Sequence, residues 1–198
     1  AKITKPGMKF IHGFALEVIQ EMAAAVSLPR SLKIAIPDIS LVMVLPPIEV
    51  NPQDTRTLQA LEALSSAVDR FSVMTYDADR NGKPHAPIEW ITRVIKGLLT
   101  VPSMKDKLLL GLPHYGWRTG GEDMTSEKMT LWLAKGGVVG GFDEESQEHY
   151  FTDKAGKRSS FPSPEMLRAR LQLAVDLDIP GVAIWEMGQG TAAFIEVY

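Results

Sequence analysis

The sequence predicts an α/β protein, and more narrowly a piece of a parallel TIM (β/α)8 barrel. Short apolar runs alternate four times with amphipathic stretches, which is the pattern of repeated β-α units around a parallel sheet. The most informative run, Gly181–Trp185, is uncharged, partly β-branched and followed by a Gly-rich turn, as in a central strand buried on both faces. Because parallel barrels present ligand-facing side chains at the carboxyl ends of their strands, Trp185 and Glu186 are the first candidate site residues.

The remaining elements follow from periodicity and from proline and glycine positions. The predicted strands are Phe14–Ile19, Leu41–Leu45, Phe71–Tyr76, Leu108–Leu112 and Gly181–Trp185. The predicted helices are Thr55–Ala67, with apolar residues at 58, 61 and 64, then Ile88–Leu99, which begins after Pro87, and Pro164–Leu177. A sixth apolar run, Leu32–Ile36, is ambiguous between strand and helix. Each predicted helix lies between two strands, as a parallel sheet requires.

Between Leu112 and Pro164 the pattern changes to glycine pairs and a segment, Glu148–Phe161, that is predicted to form a hairpin. We interpret residues 118–162 as an insertion after a barrel strand, since parallel barrels elaborate the loops at that end. No linker divides the chain, so residues 1–198 are expected to form the C-terminal part of one barrel domain. A complete barrel takes about 250 residues, and the missing strands are expected to precede Ala1.

Composition excludes several classes of function. The 198 residues are 45% hydrophobic with a net charge of −3, which indicates a globular domain and argues against nucleic-acid or membrane partners. No apolar run approaches the length of a membrane span. The absence of cysteine excludes thiol nucleophiles and cysteine-based zinc sites, and the four histidines are too scattered for a metal site. No nucleotide-binding motif is present, so no cofactor is expected.

Three strand endings together resemble one family. They are Phe71-Ser-Val-Met-Thr-Tyr-Asp77, Leu108-Leu-Leu-Gly-Leu-Pro-His-Tyr-Gly116 and Gly181-Val-Ala-Ile-Trp-Glu-Met-Gly188. They are similar to the sixth, seventh and eighth strands of glycoside hydrolase family 18, the chitinases and chitinase-like proteins. The resemblance implies a chitinase-type barrel of which this chain covers about strands four to eight, with the insertion after strand seven.

The same resemblance implies a saccharide cleft with Trp185 as the floor on which a sugar ring stacks. Its other implied contacts are Met74, Tyr76, Asp77, His114 and Tyr115. Read without the family, Trp185 fills the barrel mouth and Tyr76 bonds within its loop, which for an isolated aromatic is the commoner arrangement. Trp117 is equally compatible with a cleft wall and with loop packing. The implied partner is a chitin-type oligosaccharide, such as an N-acetylglucosamine oligomer.

The catalytic motif of that family is incomplete in this sequence. The family carries Asp-x-x-Asp-x-Asp-x-Glu at its fourth strand, where the last Glu protonates the glycosidic oxygen and the preceding Asp orients the substrate's acetamide. Aligning His12-Gly13 with the family's Asp-Gly puts Ile19 at the catalytic Glu and Glu17 at the preceding Asp; a shift of two residues makes Glu17 the acid and leaves Ala15 as its helper. Neither alignment restores the pair, so efficient hydrolysis is not expected.

Three functions remain open from the sequence. The favoured one is a catalytically silent chitinase-like lectin. The second is a weak or altered glycosidase with Glu17 or Glu186 as the acid. On an alternating strand, however, Glu186 is expected to point away from the side of Trp185. The third is a scaffold for a protein partner, bound through the Gly-rich 118–142 loop or the outer helices. The family resemblance also implies a secreted or lysosomal location.

Overall fold

The computed structural model describes Glu21 and residues 26–198. The strands are β1 (Val42–Leu45), β2 (Arg70–Val73), β3 (Leu108–Pro113), β4 (Gly116–Arg118), β5 (Glu122–Met124), β6 (Val138–Asp143), β7 (Glu148–Thr152), β8 (Arg158–Ser160) and β9 (Gly181–Trp185). The helices are α1 (Ser27–Ala35), α2 (Thr55–Ser65), α3 (Ile88–Leu98), α4 (Ser126–Ala134), α5 (Pro164–Asp176) and α6 (Ala192–Ile195), with a 3-10 helix at Pro102–Lys107. The predicted strand Phe14–Ile19 lies outside the described residues.

Four strands form a parallel sheet in the order β1-β2-β3-β9. The register pairs Val44 with Ser72, and Leu112 with Ile184, so the carboxyl ends of the strands meet at one edge. Helix α2 connects β1 to β2, and α3 with the 3-10 helix connects β2 to β3. This arrangement of parallel strands with helical crossovers is that of a partial barrel, as the alternation of apolar and amphipathic stretches predicts.

Local sequence signals account for the ends of these helices. The Asp54 side chain accepts a hydrogen bond from the backbone N–H of Thr57 at the start of α2. Ser163 accepts one from the N–H of Met166 at the start of α5, whose first residue is proline. Such caps satisfy backbone donors that a helix leaves unpaired in its first turn. Both helices therefore begin where the sequence predicts.

The core lies between the sheet and its helices. Along β2 the side chains of Phe71 and Val73 are fully buried, whereas Ser72 between them is only partly buried. The helices cover this face with side chains that are completely inaccessible, which are Leu61, Leu64, Ile91, Ile95, Leu98, Met166 and Leu167. Because successive residues of a strand face opposite sides, the alternate set, including Ser72, faces the side of the sheet away from these helices.

A second, antiparallel sheet in the order β5-β4-β8-β7-β6 lies between β3 and α5 in sequence. It includes the hairpin of β7 and β8, which was predicted over Glu148–Phe161, and it carries α4. Gly156 sits in the turn of that hairpin with φ of 75°, a backbone conformation that favours glycine. The Gly-rich 118–142 segment is therefore largely built of strands and a helix rather than of loop.

Two sequence assignments need adjustment. The ambiguous run Leu32–Ile36 lies mostly in helix α1. Strand β2 ends at Val73 rather than at Tyr76, because the Thr75 N–H turns back to the carbonyl of Val73 and its hydroxyl donates to the carbonyl of Gly111. Over the described part of the chain, no helix is both long and apolar enough to cross a membrane.

Candidate functional site

A cavity of about 390 Å³ opens at the carboxyl ends of β1, β2 and β9. Its volume is within the range of small-molecule sites. It is lined by Val44, Ser72, Met74, Tyr76, Asp77, Tyr115, Ala183, Ile184 and Trp185. Five of the residues proposed from sequence for ligand binding are therefore brought together around one cavity. A second depression, of about 430 Å³, lies at the opposite strand ends and is lined by the Lys33–Asp69 ion pair.

Trp185 is the most exposed aromatic residue of this lining, with 53% of its surface accessible. Its carbonyl accepts a hydrogen bond of 2.8 Å from the backbone N–H of His114, which ties the end of β9 to the end of β3. The peptide bond from Trp185 to Glu186 is cis. Glu186 is exposed and does not line the cavity, so the structure separates the two residues that the sequence first placed together.

Tyr76 and Tyr115 form the buried side of the cavity. Each is 7% exposed, and their rings meet edge to face with centroids 6.2 Å apart. Gly111 lies behind Tyr76: a Cβ at this position would collide with the carbonyl of Val73 and come within 3.0 Å of Cε1 of Tyr76. Burial, with the charge of Asp77, raises the pKa of Tyr76 to about 12, and burial with the hydrogen bond to Asp77 also raises the pKa of Tyr115. Both phenols are therefore protonated at neutral pH.

Asp77 is the polar centre of the site. Its Oδ1 accepts hydrogen bonds of 2.6 Å from the Tyr115 hydroxyl and from Nε1 of Trp117, and its Oδ2 accepts one of 2.9 Å from Nη2 of Arg80. Burial would raise the pKa of this carboxyl, but His85, the hydrogen bonds from Tyr115 and Trp117, and the charge of Arg80 outweigh it and hold the pKa at about 2. Asp77 is therefore ionised at neutral pH.

The backbone at Asp77 has a φ of 66°, in the left-handed region that Asp tolerates better than most residues. This conformation turns the chain out of the strand direction directly after Tyr76. Asp77 therefore owes its place at the cavity to a turn that begins where β2 stops bonding to β3.

Trp117, which the sequence left open between wall and packing, contacts the site from outside the cavity. Its indole N–H donates to Asp77, and the guanidinium of Arg80 lies 5.4 Å from its ring centroid. Cation–π contacts of this geometry hold both groups in place. Trp117 and Arg80 do not line the cavity, but both donate hydrogen bonds to the carboxylate of Asp77, which does.

His114 does not join this group. It is 4% exposed, its Nε2 lies 2.8 Å from the Tyr198 hydroxyl, and its ring packs edge-on against Phe194 at 5.0 Å. Burial lowers its pKa. The reason is alternation at the end of β3: Tyr115 is directed at the cavity, and His114 before it lies under the C-terminal segment.

His85 is the site residue that sequence reasoning missed. It is fully buried, its Nδ1 lies 3.6 Å from Oδ1 of Asp77, and its ring meets that of Tyr115 at 5.5 Å. The only sequence signal was its place eight residues after Asp77 in the same strand-to-helix loop. Among the described residues, no group of three or more His, Cys, Asp or Glu side chains is arranged to hold a metal ion.

The proposed catalytic stretch lies outside the described residues. Ala15, Glu17 and Ile19, together with His12 and Gly13, are therefore not placed by the structure. What the described lining offers is an exposed indole face, an ionised carboxylate and two protonated phenols. Such a set can stack on an apolar ligand face and hydrogen-bond to its polar edge.

The parallel sheet, its helical crossovers and the cavity at the carboxyl ends define part of an α/β barrel with a candidate ligand site. Residues 16–190 match the model of glycosyl hydrolases family 18. The chain belongs to glycosyl hydrolase family 18. The predicted fold class and the family resemblance are thereby confirmed.

Solved structures of similar fold span more than this chain. The spore cortex-lytic enzyme SleL of Bacillus cereus is 20% identical with a TM-score of 0.71, and the match covers 88% of this chain and 44% of that one. A class V chitinase from Pseudomonas fluorescens Pf-5 is 21% identical with a TM-score of 0.70, over 94% of this chain and 61% of that one. A mutant plant class V chitinase from Cycas revoluta, solved in complex with (GlcNAc)3, is 15% identical with a TM-score of 0.70, over 99% and 64%. This chain thus spans between 44% and 64% of their length.

Proposed function

We propose that this protein binds N-acetylglucosamine oligomers in the cavity at the end of the sheet. The observation that carries the proposal is the half-exposed indole of Trp185 at the rim of a cavity that also contains an ionised carboxylate. Membership of glycosyl hydrolase family 18 supports it, as does a fold shared with the Cycas revoluta chitinase that was solved with (GlcNAc)3.

The proposed roles follow from exposure and bonding. Trp185 is the platform on which the apolar face of a sugar ring stacks, since its indole is accessible from the cavity. Asp77 accepts a hydrogen bond from the ligand, and the hydroxyls of Tyr76 and Tyr115 limit the cavity beside it. Met74, a flexible apolar side chain, forms part of the wall.

We also propose that the protein hydrolyses glycosidic bonds poorly or not at all. An effective general acid needs a pKa near the working pH. Among the described lining residues, the pKa of Asp77 is about 2 and that of Tyr76 about 12, while the pKa of Tyr115 is raised. None of these groups is suited to donate a proton near pH 7. The incomplete Ala15, Glu17 and Ile19 pattern points the same way.

Isothermal titration calorimetry with tri-N-acetylchitotriose tests the binding proposal. We expect Trp185→Ala to weaken binding by about 10-fold or more, since a few buried aromatic residues commonly contribute most of the binding free energy at a contact surface. Met187→Ala is the matched control, because Met187 is exposed, lies two residues away and does not line the cavity. Unchanged affinity in Trp185→Ala would remove the platform role. Absence of binding by the wild-type protein would leave the scaffold function as the better account.

A fluorogenic chitobioside tests the proposal of catalytic silence. We expect turnover no greater than that of a buffer blank. Turnover by the wild type that is lost in Glu17→Gln would instead establish the weak-glycosidase alternative with Glu17 as the acid. Turnover lost in Glu186→Gln would assign that role to the exposed residue beside Trp185.

Within the family, we propose a relation to one subgroup. The sequence Trp185-Glu-Met-Gly-Gln-Gly190 resembles the corresponding motif of chitinase-domain-containing protein 1, the stabilin-interacting chitinase-like protein. That relation is the basis for proposing a protein partner and a secreted or lysosomal location. Immunofluorescence against a lysosomal marker, with a parallel assay of the culture medium, tests the location.

A further inference from the structure

An ion pair is buried between the second sheet and helix α5, behind the proposed cleft. Arg170 on α5 is completely buried and Glu148 on β7 is 2% exposed, with Nη2 of Arg170 lying 3.6 Å from Oε1 of Glu148. Burial lowers the pKa of Arg170 to about 10, against the opposite effect of Glu148, so the guanidinium is charged at neutral pH. Arg170 is the largest fully buried side chain among the described residues.

The two side chains both hydrogen-bond to the main chain of His85 and Ala86. Glu148 accepts hydrogen bonds from the N–H of His85 (3.1 Å) and the N–H of Ala86 (2.8 Å). Nη2 of Arg170 donates to the carbonyl of Ala86 at 2.6 Å and to that of Ser146 at 2.8 Å. The pair therefore links α5, the second sheet and the loop between β2 and α3 at a single point.

The main chain at this point carries His85 and closes the loop that contains Asp77. The carbonyl of His85 accepts a hydrogen bond of 2.8 Å from the N–H of Ala78. The ring of His85 then contacts both groups that organise the cavity, lying 5.5 Å from the ring of Tyr115 and 3.6 Å from Oδ1 of Asp77. A shift of the backbone at His85 is thus transmitted directly to Asp77 and Tyr115.

Stability alone does not account for this arrangement. Replacing a buried ion pair by apolar side chains of similar volume is often neutral or stabilising, because removing two charges from water is costly. What apolar side chains cannot do is grip backbone donors and acceptors in one fixed orientation. The charged groups of Arg170 and Glu148 are directed at backbone groups, and their hydrogen bonds fix the orientation of that backbone.

We infer that Arg170 and Glu148 are positioning residues for the cleft, which set the place of Asp77 and Tyr115 through the backbone of His85 and Ala86. The inference rests on the saccharide-binding function proposed above for its consequence in affinity. It also gives the second sheet a role, since Glu148 and the carbonyl of Ser146 belong to that insertion.

Two variants and a spectroscopic signal test the inference. Glu148→Gln keeps the shape but retains only one acceptor for the two backbone N–H groups. The double variant Arg170→Met with Glu148→Leu fills the same volume with apolar side chains. It leaves no unpaired charge, so it should fold even if Glu148→Gln, which leaves Arg170 without its carboxylate partner, does not. The signal is the indole N–H resonance of Trp117, which reports its hydrogen bond to Asp77; Trp117→Phe identifies it among the four tryptophans. Lys105→Met, which breaks the exposed Lys105–Asp178 pair, is the matched control.

We expect both variants to unfold cooperatively in urea, to shift the Trp117 indole resonance, and to bind tri-N-acetylchitotriose about 10- to 100-fold more weakly, as for a displaced hydrogen bond to a charged group. Lys105→Met should leave resonance and affinity unchanged. Folded variants that keep the wild-type resonance and affinity would overturn the inference. If the wild-type protein binds no oligomer, the proposed function fails, and the Trp117 resonance alone decides whether the pair positions Asp77.

Discussion

The carboxylate of Asp77 is the group whose removal tests the organisation of the cleft most directly. Asp77→Asn preserves the shape of the side chain. Its amide oxygen can still accept from the Tyr115 hydroxyl and the Trp117 indole, but its amide nitrogen cannot accept from Arg80. The variant therefore removes the charge and one of three short hydrogen bonds while leaving the packing in place.

The pKa of Asp77 sets the size and the pH range of the effect. A fall from the ordinary value of 3.8 to about 2 corresponds to about 2 kcal/mol of stability at pH 7. Because the folded pKa lies below the unfolded one, this contribution is complete above about pH 5 and is lost as the pH falls through 4 towards 2. By pH 3 about half of it remains.

Urea unfolding of wild type and Asp77→Asn, followed by circular dichroism at pH 7, 5, 4 and 3, measures this difference. We expect the variant to be about 2 kcal/mol less stable at pH 7, with the gap narrowing at pH 3. Asp106→Asn, at an exposed carboxylate on the 3-10 helix, is the control and should change little at any pH. An equal stability at pH 7, or a gap that does not depend on pH, would refute the assignment of Asp77 as the ionised centre of the site.

Two further substitutions test the packing on either side of the sheet. Gly111→Ala is expected to destabilise the protein by about 1–3 kcal/mol through the collision behind Tyr76, whereas Gly188→Ala, where a Cβ meets open space, should be neutral in the same denaturation assay. Leu98→Ala removes a fully buried side chain of α3 and should lower the unfolding free energy by about 2–5 kcal/mol. The control Leu131→Ala, at a side chain that is 54% exposed, should stay within about 0.5 kcal/mol of wild type. If a variant and its control lost similar amounts of unfolding free energy, the described packing would be contradicted.

The fold is largely readable from local sequence, because apolar runs and caps act over a few residues. Ser163 with its following proline marks the start of α5, and the uncharged run Gly181–Trp185 marks β9. Boundaries set by tertiary contacts were less accessible. Strand β2 ends early because Thr75 bonds to Gly111, 36 residues away, and nothing local predicts that bond.

The residues of the candidate site also differ in how far local sequence predicts them. Trp185 and Asp77 line the cavity and are predictable as candidates, because both end strand motifs with a recognisable order. His85 carries no such local signal, since its backbone N–H is bonded to Glu148, 63 residues further along the chain. His114, which the family resemblance implies as a ligand contact, lies outside the cavity lining and bonds to Tyr198, because one residue of alternation at the end of β3 decides between the cavity and the C-terminal segment.

The hydrogen bonds of Asp77 also limit what the cleft can recognise. Oδ1 already accepts two hydrogen bonds, which fills its lone pairs, and Oδ2 accepts one from Arg80 among the described residues. One acceptor position is left, so the carboxylate can read a single donor on a ligand. Sites that recognise a hydroxyl or an N–H in this way discriminate strongly against analogues that lack it. Under the proposed saccharide-binding function, selectivity would therefore depend on the single hydroxyl or N–H that donates to Asp77, and stacking on Trp185 would discriminate less.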